Sequence, residues 1–271
     1  MNDGIADDLR QIGVVTKYEM LKHVRSRKMM IFVSIAVLLF VLITALNIIF
    51  EGGLPKDPTK FMEGYVSIID LMLIIGVSLF CASTIAAEFE ERTALLMFPR
   101  PMKRTSFFIG KVLACYIVCG AILIAYYILC MLLSILNTGS VDTNTFGSLG
   151  MALMFMLGAG GFALLMSSLF KKGSTAVIVT IASLLLILQI VSGILETFGH
   201  EPAFSVTYAA KDIANYISGE VTQSSSFPMP GGGEFNLSVF YPSHLMAFSI
   251  MATWAVITTV LSAYLFSKKE F

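Results

Sequence analysis

Apolar residues run through this chain in long blocks separated by short polar connections, a pattern unlike the alternation of a half-buried strand or the stripe of a surface helix. Six blocks, near 29–50, 65–87, 112–136, 147–170, 174–195 and 245–266, reach the ~20 helical residues needed to cross a hydrocarbon core of about 30 Å. Backbone groups in lipid must bond within their own segment, so the blocks predict transmembrane helices. Ahead of them, Ile5, Leu9, Ile12, Val15 and Tyr18 recur at spacings of three and four. This predicts that residues 1–28 form a helix with one apolar stripe, lying in the membrane interface with its cations near anionic head groups.

The connections are less uniform. Residues 51–64 (EGGLPKDPTKFMEG) and 137–146 carry glycine, proline, asparagine and aspartate and read as turns. Residues 196–243 are long enough to hold structure: Val206–Ser218 places Ala209, Ile213, Tyr216 and Ile217 on roughly one face, which predicts a short amphipathic helix. SSSFPMPGGG, ending at Gly233, reads as flexible coil. Asn236-Leu237-Ser238 is a glycosylation sequon, a triplet common by chance. In the fourth block Ala159, Ala163 and Ser167 repeat at four beside Gly158, Gly160 and Gly161, a spacing that lets another helix approach closely, inside the chain or across a dimer.

Composition turns this pattern into a class. With 56% hydrophobic and 13% charged residues and a mean hydropathy of +0.83, the 271-residue chain lies outside soluble globular composition. It reads as an all-α polytopic membrane protein of a single transmembrane domain, residues 1–271. No cleavable-signal pattern precedes the first block, which is expected to be retained. Net charge is zero, but 15 of the 18 lysines and arginines fall before the first block, in the second-to-third and fourth-to-fifth connections, and at the C-terminus. Only Lys56, Lys60 and Lys211 lie on the other side. That asymmetry predicts both termini in the cytoplasm, with the protein in the plasma or inner membrane.

Candidate chemistry is sparse. There is no GxxxxGK[ST] loop, HExxH, CxxC, nucleophile elbow or basic-aromatic patch for nucleic acid, so nucleotide hydrolysis by this chain alone is not expected. Cys81, Cys115, Cys119 and Cys130 lie in apolar blocks, where cysteine acts as a small hydrophobe, and His23, His200 and His244 are far apart in sequence. The sixteen methionines read as gap-fillers in apolar packing. Among intramembrane polar groups, Asp70 is the main candidate for a translocation path, against the plainer reading of a carboxylate near the interface paired with Lys56 or Lys60. Asn47 and Gln189 read as weaker cases that would make interhelical hydrogen bonds.

The second-to-third connection is too rich for a simple turn. It carries Glu88, Glu90 and Glu91, a helix-capable run from Thr93 through Leu95, Leu96, Met97 and Phe98, then Pro99 and Pro101, and finally Lys103, Arg104 and Lys111. Acidic groups favour a helix N-terminus and the prolines stop the helix and fix its exit, while Ser106 is placed to cap the third span. A short rigid helix with apolar knobs is suited to a partner's groove.

At these residues the chain resembles the permease subunits of ABC-2 type ATP-binding-cassette transporters. The resemblance rests on Glu88 to Glu91, Arg92-Thr93, Leu95-Leu96, Pro101-Met102-Lys103-Arg104 and Gly110-Lys111, with Arg92 where the family carries glycine, and on SSLFKKGST from Ser167 to Thr175. It implies a half-transporter that pairs with a second permease copy or paralogue and binds two cytoplasmic ABC ATPase subunits, which would hold the Mg-ATP. Cofactors in this chain itself are not implied. Residues 1–28 would be the family's connector helix, residues 88–104 its coupling helix, and the fifth-to-sixth loop its outer re-entrant helices. Two other readings stay open: an ATPase-independent secondary carrier using Asp70, and a structural or immunity-type membrane protein without a transport cycle.

Overall fold

A computed structural model describes residues 3–90, 104–220, 222–228 and 234–268. Its six helices long and apolar enough to span a membrane are Arg27–Ile49, Pro58–Glu88, Arg104–Thr138, Asn144–Leu169, Gly173–Thr197 and His244–Lys268. Ahead of the first span lies α1 (Asp3–Val24), and the turn between them is closed by Ser26, whose hydroxyl accepts from the Met29 N–H.

The second span is built in three pieces. α3 (Pro58–Val66) leads into α4 (Ile69–Thr84), and α5 (Ala86–Glu90) follows; α2 (Arg27–Glu51) is the first span. The turn expected over residues 51–64 is therefore corrected in its second half, where α3 begins. Asp57 accepts from the Thr59 N–H and Pro58 sits in the first turn, a start that needs no amide donor from the proline. Phe61, Met62, Tyr65 and Val66 then form its buried face.

The third span, α6 (Arg104–Thr138), is longer than its apolar block. Its 35 residues would extend about 52 Å at 1.5 Å per residue, well beyond the roughly 30 Å of a hydrocarbon core. The surplus lies at its N-terminal end, where Ser106 is buried within the helix rather than standing before it as a cap. α1 packs along this surplus.

The centre of the bundle is the fourth span, α7 (Asn144–Leu169), which packs against α4 and against two later helices, α10 (Val206–Ser218) and α11 (His244–Lys268). Between α7 and α10 runs the fifth span: α8 (Gly173–Ile181), a π-helical stretch Ala182–Ile187, and α9 (Leu188–Thr197). The first and fifth spans are peripheral, with 6% and 17% of their apolar stretches buried against 72% for the second. α10 keeps the predicted limits because Ser205 caps one end and Gly219 closes the other at φ 65°. Beyond it, β1 (Gln223–Pro228) and β2 (Glu234–Val239) pair antiparallel, correcting the coil expected from Ser224 to Pro228.

The small-residue stripe of α7 works inside the chain. Ala159, Ala163 and Ser167 are fully buried, and the Ser167 hydroxyl accepts from the N–H groups of Ile85 and Ala86 at 2.9 and 3.0 Å, where α4 gives way to α5. Of the glycines beside the stripe, Gly158 and Gly161 meet the sixth span and Gly160 meets the Tyr116 ring of the third. A Cβ on Gly161 would overlap Thr258 and stand 2.9 Å from the Thr259 hydroxyl.

Replacing Gly161 with valine is therefore expected to lower stability by about 1–3 kcal/mol through overpacking. Gly150→Ala, where nothing lies within 4 Å of the added carbon, serves as the matched control and is expected to be neutral or slightly stabilising. Thermal unfolding of the two variants in detergent checks this.

Candidate functional site

The polar interior gathers at the end of the bundle that carries α1. Lys111, about two turns into α6, is 1% exposed. Its Nζ lies 2.5 Å from Glu19 Oε1 of α1 and 2.8 Å from Glu88 Oε1 of α5. The Phe107 ring packs below it, with its centroid 4.9 Å from Nζ. Lys22, one turn beyond Glu19 and half-exposed, adds a contact of 3.3 Å to the same Glu88 oxygen. Two carboxylates and two ammonium groups thus neutralise one another across three segments.

Gly110 makes this approach possible. A Cβ there would stand 2.8 Å from Val15 and 3.1 Å from the Ile12 carbonyl, so α1 can lie this close only on a residue with no side chain. Thr16 donates to the Gly110 carbonyl at 3.2 Å. The face of α1 turned inward is consequently Val15, Glu19 and His23, all buried, whereas Leu9 and Tyr18 are 64% and 68% exposed. This corrects the single apolar stripe expected for the helix. Its inner face is mixed because its neighbours are a lysine and a cysteine: His23 Nε2 lies 3.6 Å from Cys115 Sγ, which is 3.0 Å from the Thr84 hydroxyl.

Other polar ties extend the cluster. Glu90 Oε2 accepts from the Gly173 N–H at 2.9 Å, placing a carboxylate at the N-terminus of the fifth span, where the helix dipole favours negative charge. Lys28, at the start of the first span, donates to the Ser83 hydroxyl at 2.7 Å. Arg104 reaches the Ser267 carbonyl at the end of the sixth span at 3.4 Å, where the Phe107 ring stacks with Phe266 and the Phe108 ring lies tilted against it.

Of the residues expected to dock a partner, Glu88, Glu90, Arg104 and Lys111 are thus brought to one end of the bundle, and Glu88 and Lys111 face inward. Glu91, Thr93, Leu95, Leu96, Phe98 and Pro101 lie outside the described residues. Glu19, Lys22 and His23 carry the cluster yet were not singled out by sequence reasoning. The available signal was the spacing of Val15, Glu19 and His23 at four, a helix face with one carboxylate and one imidazole.

The intramembrane candidates separate. Asp70 sits at the opposite end of the bundle and lines a cavity of ≈ 320 Å³ with Glu63, Asn215, Glu220 and Tyr241. No ion pair among the described residues joins it to Lys56 or Lys60; its Oδ1 instead accepts from the Leu71 N–H at 2.7 Å. Nearby, the fully buried Asp212 lies 2.8 Å from His244 Nδ1, and burial pushes its carboxyl up against the opposing pull of His244. Gln189 follows the π-helical stretch and is exposed on the surface of the chain. Asn47 bonds the Ile43 carbonyl of its own helix at 2.9 Å, not a neighbouring helix. Among the described residues no three of His, Cys, Asp and Glu converge to hold a metal ion.

Comparison with known proteins brings this arrangement into one group. A family profile described as ABC-2 family transporter protein matches residues 15–189, from the inward face of α1 into the fifth span. An uncharacterized membrane protein of Bacillus subtilis (strain 168), YdbK, is 26% identical over 182 residues, covering 64% of this chain and 73% of that protein.

Removing one member of the cluster is expected to cost more than removing its partner as well. Lys111→Met takes from the buried Glu19 its ammonium partner and leaves Glu88 with the half-exposed Lys22, and should destabilise the protein by about 3–5 kcal/mol. Adding Glu19→Gln should return part of that loss, with a coupling of roughly 0.5–3 kcal/mol in a double-mutant cycle of chemical unfolding in detergent. Strictly additive effects would show that the two side chains act separately.

Proposed function

Because this chain belongs to the ABC-2 family of transporter proteins, we propose that it lines the translocation path of an ATP-binding-cassette exporter and couples to separate ATPase subunits. It is a permease subunit, the membrane component rather than the ATPase domain. In this reading two cytoplasmic ATPase subunits bind Mg-ATP and press on residues 88–104 of a pair of permeases, this chain and a second copy or paralogue. The α1 end of the bundle then faces the cytoplasm, in the plasma or inner membrane, as the charge asymmetry suggests.

The observation that carries the proposal is how the flanks of that connection are anchored. On the entering side, Glu88 is tied to α1 and α6, and Glu90 to the first residue of the fifth span. On the leaving side, Arg104 reaches the end of the sixth span. A displacement of the connection would therefore be felt by the third, fifth and sixth spans together, as a rigid-body shift between two states requires. Glu88 and Lys111 would act as positioning residues for this movement, while Leu95, Leu96 and Phe98 would supply the contact with the ATPase.

Co-purification with a candidate soluble ATPase tests the assignment. Leu96→Asp and Phe98→Asp are expected to abolish association and the ATP turnover that depends on it, leaving the bundle's thermal stability unchanged. Undiminished association would count against the proposal. Transport lost in Asp70→Asn yet insensitive to nucleotide depletion would assign the chain to secondary carriers instead.

A further inference from the structure

Between the end of α1, the first span and the third span opens a cleft of ≈ 480 Å³ that nothing in the transport reading uses. Met20 and Val24 of α1 form its mouth, Val37 of the first span and Ala125 of the third line its depth, and the walls are apolar apart from Tyr126. A second, adjoining hollow shares Met20 and Val24 and includes Lys17. The cleft exists because the first span leans on the rest of the bundle over so little of its length, with 6% of its apolar stretch buried.

The mouth is cationic. Arg25 occupies the turn next to Val24, Arg27 opens the first span, and both are exposed without an ion-pair partner among the described residues. The other cations nearby are engaged: Lys22 with Glu88 and Lys28 with Ser83. A hydrocarbon slot beneath a pair of free guanidinium groups matches a molecule with an apolar tail and an anionic head. Basic residues at this level of a membrane protein favour anionic lipid, and the planar guanidinium suits phosphate.

We propose that this cleft is a binding site for an anionic phospholipid, one acyl chain lying between the first and third spans and the phosphate on Arg25 and Arg27. A second copy of this chain is the weaker fit, since a two-fold contact through the same surface would set the two arginine pairs against each other. The lipid would fill the gap that the first span leaves and hold the α1 turn against the third span. Its affinity would come from tail and head together, so a free anion would not replace it.

Native mass spectrometry of the detergent-purified protein, supplied with phosphatidylglycerol or phosphatidylcholine, reads this directly. Phosphatidylglycerol is expected to be retained in preference to phosphatidylcholine by roughly thirtyfold, from about 1 kcal/mol for each of the two arginines. Arg25→Gln with Arg27→Gln should bring the two lipids to near parity. Ala125→Trp, or Val37→Trp if the former fails to fold, should reduce retention of both without changing the oligomeric mass. Equal retention of the two lipids by the unaltered protein, or an undiminished preference in the double glutamine variant, would overturn the proposal. So would displacement of the lipid by equimolar inorganic phosphate, which would mark a site for the anion alone, or dissociation of an oligomer by the tryptophan, which would mark the cleft as a contact between copies.

Discussion

An ammonium group removed from water must be matched by negative charge or the fold that buries it is not tolerated. Lys111 is in that position, and much of the α1 end of the bundle follows from satisfying it. One carboxylate comes from α1 and the other from the end of the second span, so the charge balance closes only when three segments distant in sequence meet. Gly110, beside it, removes the side chain that would hold α1 away. Neither residue suffices without the other, because the glycine permits close approach without directing it, and the lysine directs an approach that a bulkier neighbour would block. α1 is thereby fixed to the bundle rather than resting on a membrane surface by its apolar side chains alone.

The spans were legible in the sequence because crossing a membrane is a local property of composition, and each apolar block became a helix. α10 was legible for a different reason: its cap residues and its apolar face agree, so Val206–Ser218 appears with the limits read from the chain. What sequence did not yield was partnership. Glu19 and Lys111 stand 92 positions apart, and each, taken singly, reads as a charge outside the membrane. Likewise the small residues of α7 announced close packing, while only the fold reveals that Ser167 closes the break in the second span and Gly161 faces the sixth. α3 was masked by its composition, since glycine and proline around it argued for a turn although Asp57-Pro58 is a sound helix start.

The Gly110-Lys111 pair was among the residues carrying the family resemblance, and its geometry gives that pair a physical meaning. It belongs to the internal fastening of α1, not to a surface offered outward. The same holds for Glu88, which is buried, and in part for Glu90, which meets the fifth span. The motif therefore divides by function: its outer members fasten the connection to the bundle at both ends, and in the proposed cycle its middle members meet the ATPase. A connection with loose flanks would absorb a push from below instead of passing it on.

The shallow packing of the first span also bears on how the protein is made. This helix has the highest mean hydropathy of the six and the smallest buried share, and the third span, which closes its cleft, is synthesised only after the entire second. It must therefore partition into the bilayer on its own composition, before any of the five later spans is available to hold it. The sixth span has the lowest mean hydropathy and arrives when α7, its main neighbour, is already in place. Of these six spans, the one made first is the one that least needs company, and the one made last can rely on a surface already formed.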